Sequence, residues 1–228
     1  MPATLTRSIA AALALGYRRV KIKVMPEWDD VAVRAARDAM AGADLPLTVD
    51  ANGVYEWPAH ERRLRALDDA GLLYIEQPLG PDELVGHARL ARALKTPICL
   101  DETLKSAVHA RQIVELDGPR VWNIKVHRVG GLTEVCRIYR IAEAYRAELW
   151  AGTMPESGIG SQAALAVAAL PLCAYPSDLE PSARWYGRNQ DVIKLTMGRD
   201  GRMAVPEQSA GRLLDTTRFR AVTRQLPC

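Results

Sequence analysis

Six charged residues recur along this sequence at intervals that could bring them to one place. Lys21 and Lys23 stand two apart in the run RVKIKVM. Asp50 then closes LPLTVD, Glu76 closes LLYIE, Asp101 closes PICLD and Lys125 closes VWNIK. From Lys23 onward the steps are 27, 26, 25 and 24 residues, each the length of one strand, one helix and their connections. Three carboxylates gathered at one point repel one another unless a cation lies between them. Hard oxygen donors on three rigid positions suit Mg²⁺, with Mn²⁺ or another divalent ion as substitute, and leave its other places to water and substrate oxygens. A lysine on either side supplies the means of proton transfer. Its charged form is disfavoured by a second ammonium or a divalent cation nearby, which brings it within reach of base chemistry. Lys21 is that neighbour for Lys23, and Arg128 for Lys125. The plainer alternative is that each acid caps the next helix or pairs with a surface arginine, while the KIK side chains lie along a solvated edge.

The elements that must position these residues follow a strand–helix rhythm. Seven short β-branched or apolar runs stand out: Arg19 to Met25, Leu45 to Asp50, Leu72 to Glu76, Pro97 to Asp101, Val121 to Lys125, Glu148 to Ala151 and Leu172 to Tyr175. Between them, stretches such as DDVAVRAARDAMAG and GLTEVCRIYRIAEAYRA return apolar residues every three or four positions, as helices lying on a sheet do. Gly42 and Gly71 are expected to end helices in a left-handed cap. Alternating strands and helices give a parallel sheet, either a (β/α) barrel or a doubly wound sheet, which periodicity alone does not separate. In a barrel, the strand-end residues would meet at the C-terminal mouth, where active sites of that fold lie. Near the end of the chain, Asp200-Gly201 within DVIKLTMGRDGRMAVP marks a hairpin turn.

The bulk composition is ordinary. Of 228 residues, 48% are hydrophobic and 25% charged, with 30 basic against 27 acidic side chains. A net charge of +3 with no basic run argues against nucleic acid as partner. No apolar stretch approaches the roughly 20 residues of a membrane helix. The opening MPATLTRSIAAALALGYRR reads as an amphipathic helix and not a secretion signal. Cys99, Cys136, Cys173 and Cys228 are widely spaced, which fits reduced thiols and a cytoplasmic protein.

In their order, KIKV, TVDAN, YIEQP, LDE, NIKVHRVGG and GTMPESGIG resemble the motifs of the enolase superfamily, from about Leu15 to Val205. They are most similar to its muconate-lactonizing subgroup and, within it, to the family of o-succinylbenzoate synthases and N-succinylamino acid racemases. The resemblance implies a TIM-like (β/α)7β barrel over 1–190, incomplete in lacking its first strand. A C-terminal hairpin and tail over 191–228 would pack on an N-terminal capping domain that is missing. It implies Asp50, Glu76 and Asp101 as ligands of Mg²⁺, with Lys23 and Lys125 as acid/base catalysts on opposite faces of a small carboxylate substrate. Lys21, Asn52, Glu102, Arg128, Glu156, Gly158 and Gly160 take supporting or substrate-binding places. The glycines either offer backbone amides to a carboxylate or make a tight turn at positive φ. His127 is expected to pack or face solvent, and Trp150 and Trp185 to be core or rim. The implied activity is proton removal α to a carboxylate, as synthase in menaquinone biosynthesis, as racemase, or as both. Asp178 and Glu180 resemble the paired acids of dipeptide epimerases, which makes that the second expectation. A catalytically incompetent remnant, or one chain of a two-chain enzyme with its cap supplied by a partner or a homo-oligomer, is the third. The isolated chain is expected to turn over poorly.

Overall fold

A computed structural model describes residues 2–41, 43–187 and 190–223. Six short strands pair in sequence order, all parallel: β1 (Val20–Lys23), β2 (Leu47–Asp50), β3 (Ile75–Glu76), β4 (Ile98–Leu100), β5 (Val121–Ile124) and β6 (Glu148–Ala151). Strands β2 to β5 are buried at every residue. That requires cover on both faces, as in parallel sheets flanked by helices. The outer cover comes from α2 (Asp29–Ala39), α3 (Glu61–Asp68), α4 (Leu84–Ala93), α5 (Ala107–Glu115), α6 (Leu132–Tyr145) and α7 (Gly158–Ala168). Each presents an apolar stripe to the sheet, such as Ala32, Val33 and Ala36 on α2 or Val135, Ile138 and Ala142 on α6. The opening stretch forms α1 (Pro2–Ala14), which buries Ile9 with Leu5 and Leu13 against the same core. No helix among the described residues is long and apolar enough to cross a membrane.

The sheet curls, because side chains at the end of β1 touch a segment lying beside the end of β6. That segment corrects one expectation. The seventh run, Leu172 to Tyr175, makes no continuous strand, only a single parallel bridge of Cys173 to Leu149, and a second bridge of Asp178 to Gly152 lies just past it. Pro176 lies between them, and proline has no N–H to extend a ladder. The hairpin around Asp200 is also brief, one antiparallel bridge between Met197 and Met203, with Gly201 at φ 73° making the turn.

Residues from 191 onward are not a body apart. Val192, Ile193 and Leu195 are buried, the latter two packing on Leu165 of α7. A side chain at Gly201 would meet the Gly16 carbonyl at 2.0 Å, so the hairpin sits directly on the turn after α1. Beyond it, among the described residues, lie α8 (Ala210–Leu213) and α9 (Thr216–Val222). Gly71 adopts φ 65°, two residues past the α3 cap at Asp69. Gly42, residues 188–189 and the last five residues, with Cys228, lie outside the described residues. Cys99, Cys136 and Cys173 are free thiols.

Candidate active site

The register sets the height of each charged group. Lys23 pairs with Asp50, and Asp50 with Glu76, so these three stand level. Glu76, however, pairs with Cys99, and Cys99 with Val121. Asp101 therefore lies two residues beyond the Glu76 level, and Lys125 two beyond Asp101. A stagger of this kind is what tilted strands in a curled sheet require. Alternation points Lys21, Lys23, Asp50, Glu76, Asp101, Asn123 and Lys125 to one side, the inside.

Basic side chains occupy the spaces between the acids. Lys23 Nζ donates to Asp50 Oδ2 at 2.6 Å and to Asn52 Oδ1 at 2.5 Å. Lys125 Nζ donates to Asp101 Oδ2 at 2.8 Å, and Arg128 pairs with Asp101 Oδ1 while donating to its backbone carbonyl at 2.5 Å. Lys21 reaches Asp178 at 2.6 Å, with Glu76 at 3.7 Å and Asp50 at 3.8 Å. Asp50, Glu76 and Asp101 are all buried, and Lys125 nearly so, whereas the Lys23 side chain is 64% exposed. Among the described residues, no three Asp, Glu, His or Cys side chains converge closely enough to hold one ion in this arrangement. The three acids are neighbours separated by ammonium groups.

A second layer holds these acids, and sequence reasoning reached only part of it. Asn52 donates its backbone N–H to Asp50 Oδ1 at 3.0 Å and its side-chain amide to Glu102 Oε1 at 2.8 Å. Asn123 donates to Glu76 Oε1 at 2.9 Å. Gln77 Oε1 accepts the backbone N–H groups of Asp101 and Thr103, and its amide donates to the Leu79 carbonyl and Thr103 Oγ1. Asn52 and Gln77 both adopt left-handed backbone, φ 46° and 40°. Such strain in a residue other than glycine persists where surrounding bonds over-determine it. Gln77 and Asn123 are not among the site residues expected from the sequence, and Asp178 is expected only as one of an epimerase's paired acids; the clue for the first is its place between Glu76 and Pro78 in YIEQP. Gly152 belongs to this layer as well, since a Cβ there would lie 2.3 Å from Asn123 Oδ1.

Electrostatics follow from burial and charge. Burial pushes the Glu76 carboxyl up, to about 8; Lys21 opposes this, and the charges of Asp50 and Asp101 add to it. Burial favours the neutral form of Lys21, yet the carboxylates of Glu76, Asp178 and Asp50 outweigh it and raise its pKa. Lys21 is thus held as an ammonium by its acids. Asp178, against the upward push of burial, is held below the ordinary carboxylate value by Lys21. Glu76 Oε2, Asp101 Oδ1 and Glu102 Oε2 are buried without a hydrogen-bond partner, although Arg128 makes an ion pair with the second. His127 is exposed, Trp150 fully buried and Trp185 46% exposed.

The supporting residues after β6 behave differently from expectation. Glu156 has a buried Oε1 without a partner, and burial raises its pKa. Gly158 opens α7, but its amide donates to Asp191 Oδ1 at 2.9 Å and is therefore not free for a substrate carboxylate. Neither Gly158 nor Gly160 takes positive φ. Gly158 is required for space, since a Cβ there would lie 2.0 Å from the Ile193 carbonyl, whereas at Gly160 it would meet Glu156 Oε2 at 2.0 Å, the end of a side chain that can turn away. Gly158→Ala must shift backbone against backbone, at a cost of about 1–3 kcal/mol. For a chain of this size that lowers the melting temperature by about 3–10 °C. A thermal melt matching the parent would count against this close approach.

Comparison with known proteins points the same way. A family model described as "Enolase C-terminal domain-like" matches residues 4–211. The N-succinylamino acid racemase of Thermus thermophilus is 42% identical over 202 residues, covering 88% of this chain and 53% of that protein. The o-succinylbenzoate synthase of Geobacillus kaustophilus is 43% identical over 189 residues, covering 83% and 49%. Among solved structures, a probable mandelate racemase from Alicyclobacillus acidocaldarius superimposes with a TM-score of 0.91 at 35% identity, over 99% of this chain and 58% of that one. The chain spans about half the length of the curated relatives it matches.

Proposed function

The chain belongs to the enolase C-terminal domain-like family, and from that premise we propose that it transfers protons at the carbon next to a carboxylate, as an o-succinylbenzoate synthase, an N-succinylamino acid racemase, or both. One observation carries this reading: two lysines on β1 and just past β5 reach acids at the ends of neighbouring strands, Lys23 to Asp50 and Lys125 to Asp101. β1 and β5 stand four places apart in a curled sheet. Their amines therefore approach the mouth from different sides.

The donor chemistry fits a divalent cation, Mg²⁺ with Mn²⁺ or another divalent ion as substitute. Asp50, Glu76 and Asp101 would hold it, and Glu76 Oε2, buried without a hydrogen-bond partner, is an oxygen of the required kind. When bound, the ion supplies a fixed positive charge for the substrate carboxylate, whose negative charge grows as the α-proton leaves. Gathering the three acids requires Lys23 to leave Asp50 and Lys125 to leave Asp101, which frees both amines to handle protons. In the synthase reaction, Lys23 Nζ takes the α-proton and returns a proton to the departing hydroxyl, so water leaves. Lys125 Nζ meanwhile stabilises the enolate from the other side. In the racemase reaction, one amine takes the proton and the other delivers one to the opposite face.

The epimerase reading needs Asp178 and Glu180 to receive a substrate ammonium. Asp178 is engaged by Lys21 and Glu180 by Arg184 at 3.2 Å, so the synthase and racemase reading is the better supported. The test is solvent-deuterium incorporation at the α-carbon of an N-succinyl amino acid, together with dehydration of the cyclohexadiene precursor, followed over hours because turnover is expected to be slow. Incorporation or dehydration that needs added Mg²⁺ or Mn²⁺ and stops on chelation is the expected result. Rates unaffected by chelation would refute the metal reading.

A further inference from the structure

The Lys21 ammonium has three acidic neighbours but closes on one of them. Its Nζ lies 2.6 Å from Asp178 Oδ2, against 3.7 Å from Glu76 Oε2 and 3.8 Å from Asp50 Oδ2. Only the first is a hydrogen-bonding distance. Glu76 Oε2 accordingly stays buried and without a hydrogen-bond partner, although the Lys21 ammonium stands at ion-pair distance, about 0.5 Å beyond hydrogen-bond range. A bare buried carboxylate oxygen draws any cation within reach, so something must hold Lys21 back.

Asp178 is built to do that. Its backbone N–H donates to the Ala151 carbonyl at 2.9 Å, and its carbonyl accepts from Thr153 Oγ1 at 2.9 Å. It also bridges Gly152 at the end of β6. These bonds anchor the Asp178 backbone beside the end of β6, and from there its carboxylate makes the shortest contact that Lys21 has. Trp150 of β6 steadies the ammonium from below, with Nζ 5.2 Å from its ring centre.

We propose that Asp178 is a positioning residue, which by holding the Lys21 ammonium aside keeps Glu76 Oε2 open for a divalent cation. The inference rests on the metal reading of the site given above. Loss of the Asp178 charge lets Lys21 swing onto Glu76 and Asp50, where it competes with the ion.

The experiment is calorimetric titration of Mn²⁺ into the full 228-residue chain, the parent beside Asp178→Asn, Lys21→Met and the double variant. Asp178→Asn is expected to weaken Mn²⁺ binding about 10- to 100-fold, the range for groups that orient metal ligands. The double variant is expected to recover to within about threefold of the parent, because no ammonium is left to occupy Glu76. Unchanged affinity in Asp178→Asn, or a double variant no tighter than it, overturns the proposal. Should Asp178→Asn fail to fold, Lys21→Met still decides: binding at least as tight as the parent supports competition by Lys21, and weaker binding overturns it. A metal-free crystal structure of Asp178→Asn separates the proposal from the reading beneath it. Lys21 Nζ at hydrogen-bond distance from Glu76 or Asp50 supports it, whereas Nζ left in place overturns it. A parent chain that takes up no Mn²⁺ sinks the metal reading, and with it the role assigned to Asp178.

Discussion

Lys125→Ala is expected to lower α-proton exchange by about 10³-fold, within the 10²–10⁴ range for removing a positioned acid or base. Lys125 is buried at the end of β5, and its Nζ donates to Asp101 at 2.8 Å. Among the described residues Asp101 has two cationic partners, and the other one, Arg128, is a guanidinium that does not deprotonate. The loss should fall on kcat, because the amine acts on the reacting carbon and adds little to binding of the unreacted carboxylate. Folding should survive, because Arg128 continues to neutralise Asp101. Exchange kinetics with an N-succinyl amino acid measure the effect, and a variant retaining more than about a tenth of the parent rate would remove Lys125 from the chemistry.

Glu76→Gln carries the second large effect, on the cation itself. Glutamine keeps the volume and one oxygen to accept from Asn123, but removes the charge and one donor oxygen from the middle of the three acids. Mn²⁺ binding is expected to weaken by at least about 100-fold, the upper end of what even an outer-shell change costs. Stability of the metal-free chain should move the other way. Burial pushes the Glu76 carboxyl up to about 8, so in the metal-free chain at neutral pH it is mostly neutral, the form that glutamine imitates. Metal-free Glu76→Gln should therefore melt no lower than the parent, the pattern of a residue kept for function at the expense of the fold. Calorimetry and a thermal melt on the same two proteins check both halves. A variant that melts well below the parent while still binding Mn²⁺ would make Glu76 a structural residue.

Much of this arrangement is legible in the amino-acid order. A strand that ends in a charge shows as an apolar run closed by Asp, Glu or Lys, and the recurrence of that pattern every 24 to 27 residues marks one strand–helix unit after another. Six of the seven expected strands appear near their expected places, where apolar or β-branched runs lie beside one another. The seventh run has no β-branched residue and is cut short by Pro176 directly after it, which leaves two separate bridges. Gly158 and Gly160 were visible as glycines, but their purpose was not. Gly158 is small because the Ile193 carbonyl, 35 residues on, crosses at 2.0 Å from where a Cβ would be, and no reading of neighbouring residues shows that.

The order of residues by itself determined the parallel strand–helix repeat and which charged groups face inward, because both depend on periodicities of two and about three and a half that any window displays. Only the folded chain decided the heights and partners of those groups. The two-residue climbs at β4 and again at β5 come from strand tilt, and Lys21 meets Asp178 because curling brings the ends of a six-stranded sheet together. Gln77 locks the approach to Asp101 for the same reason. Contacts between residues remote along the chain depend on how far a sheet twists and closes, and that is a property of all its strands at once.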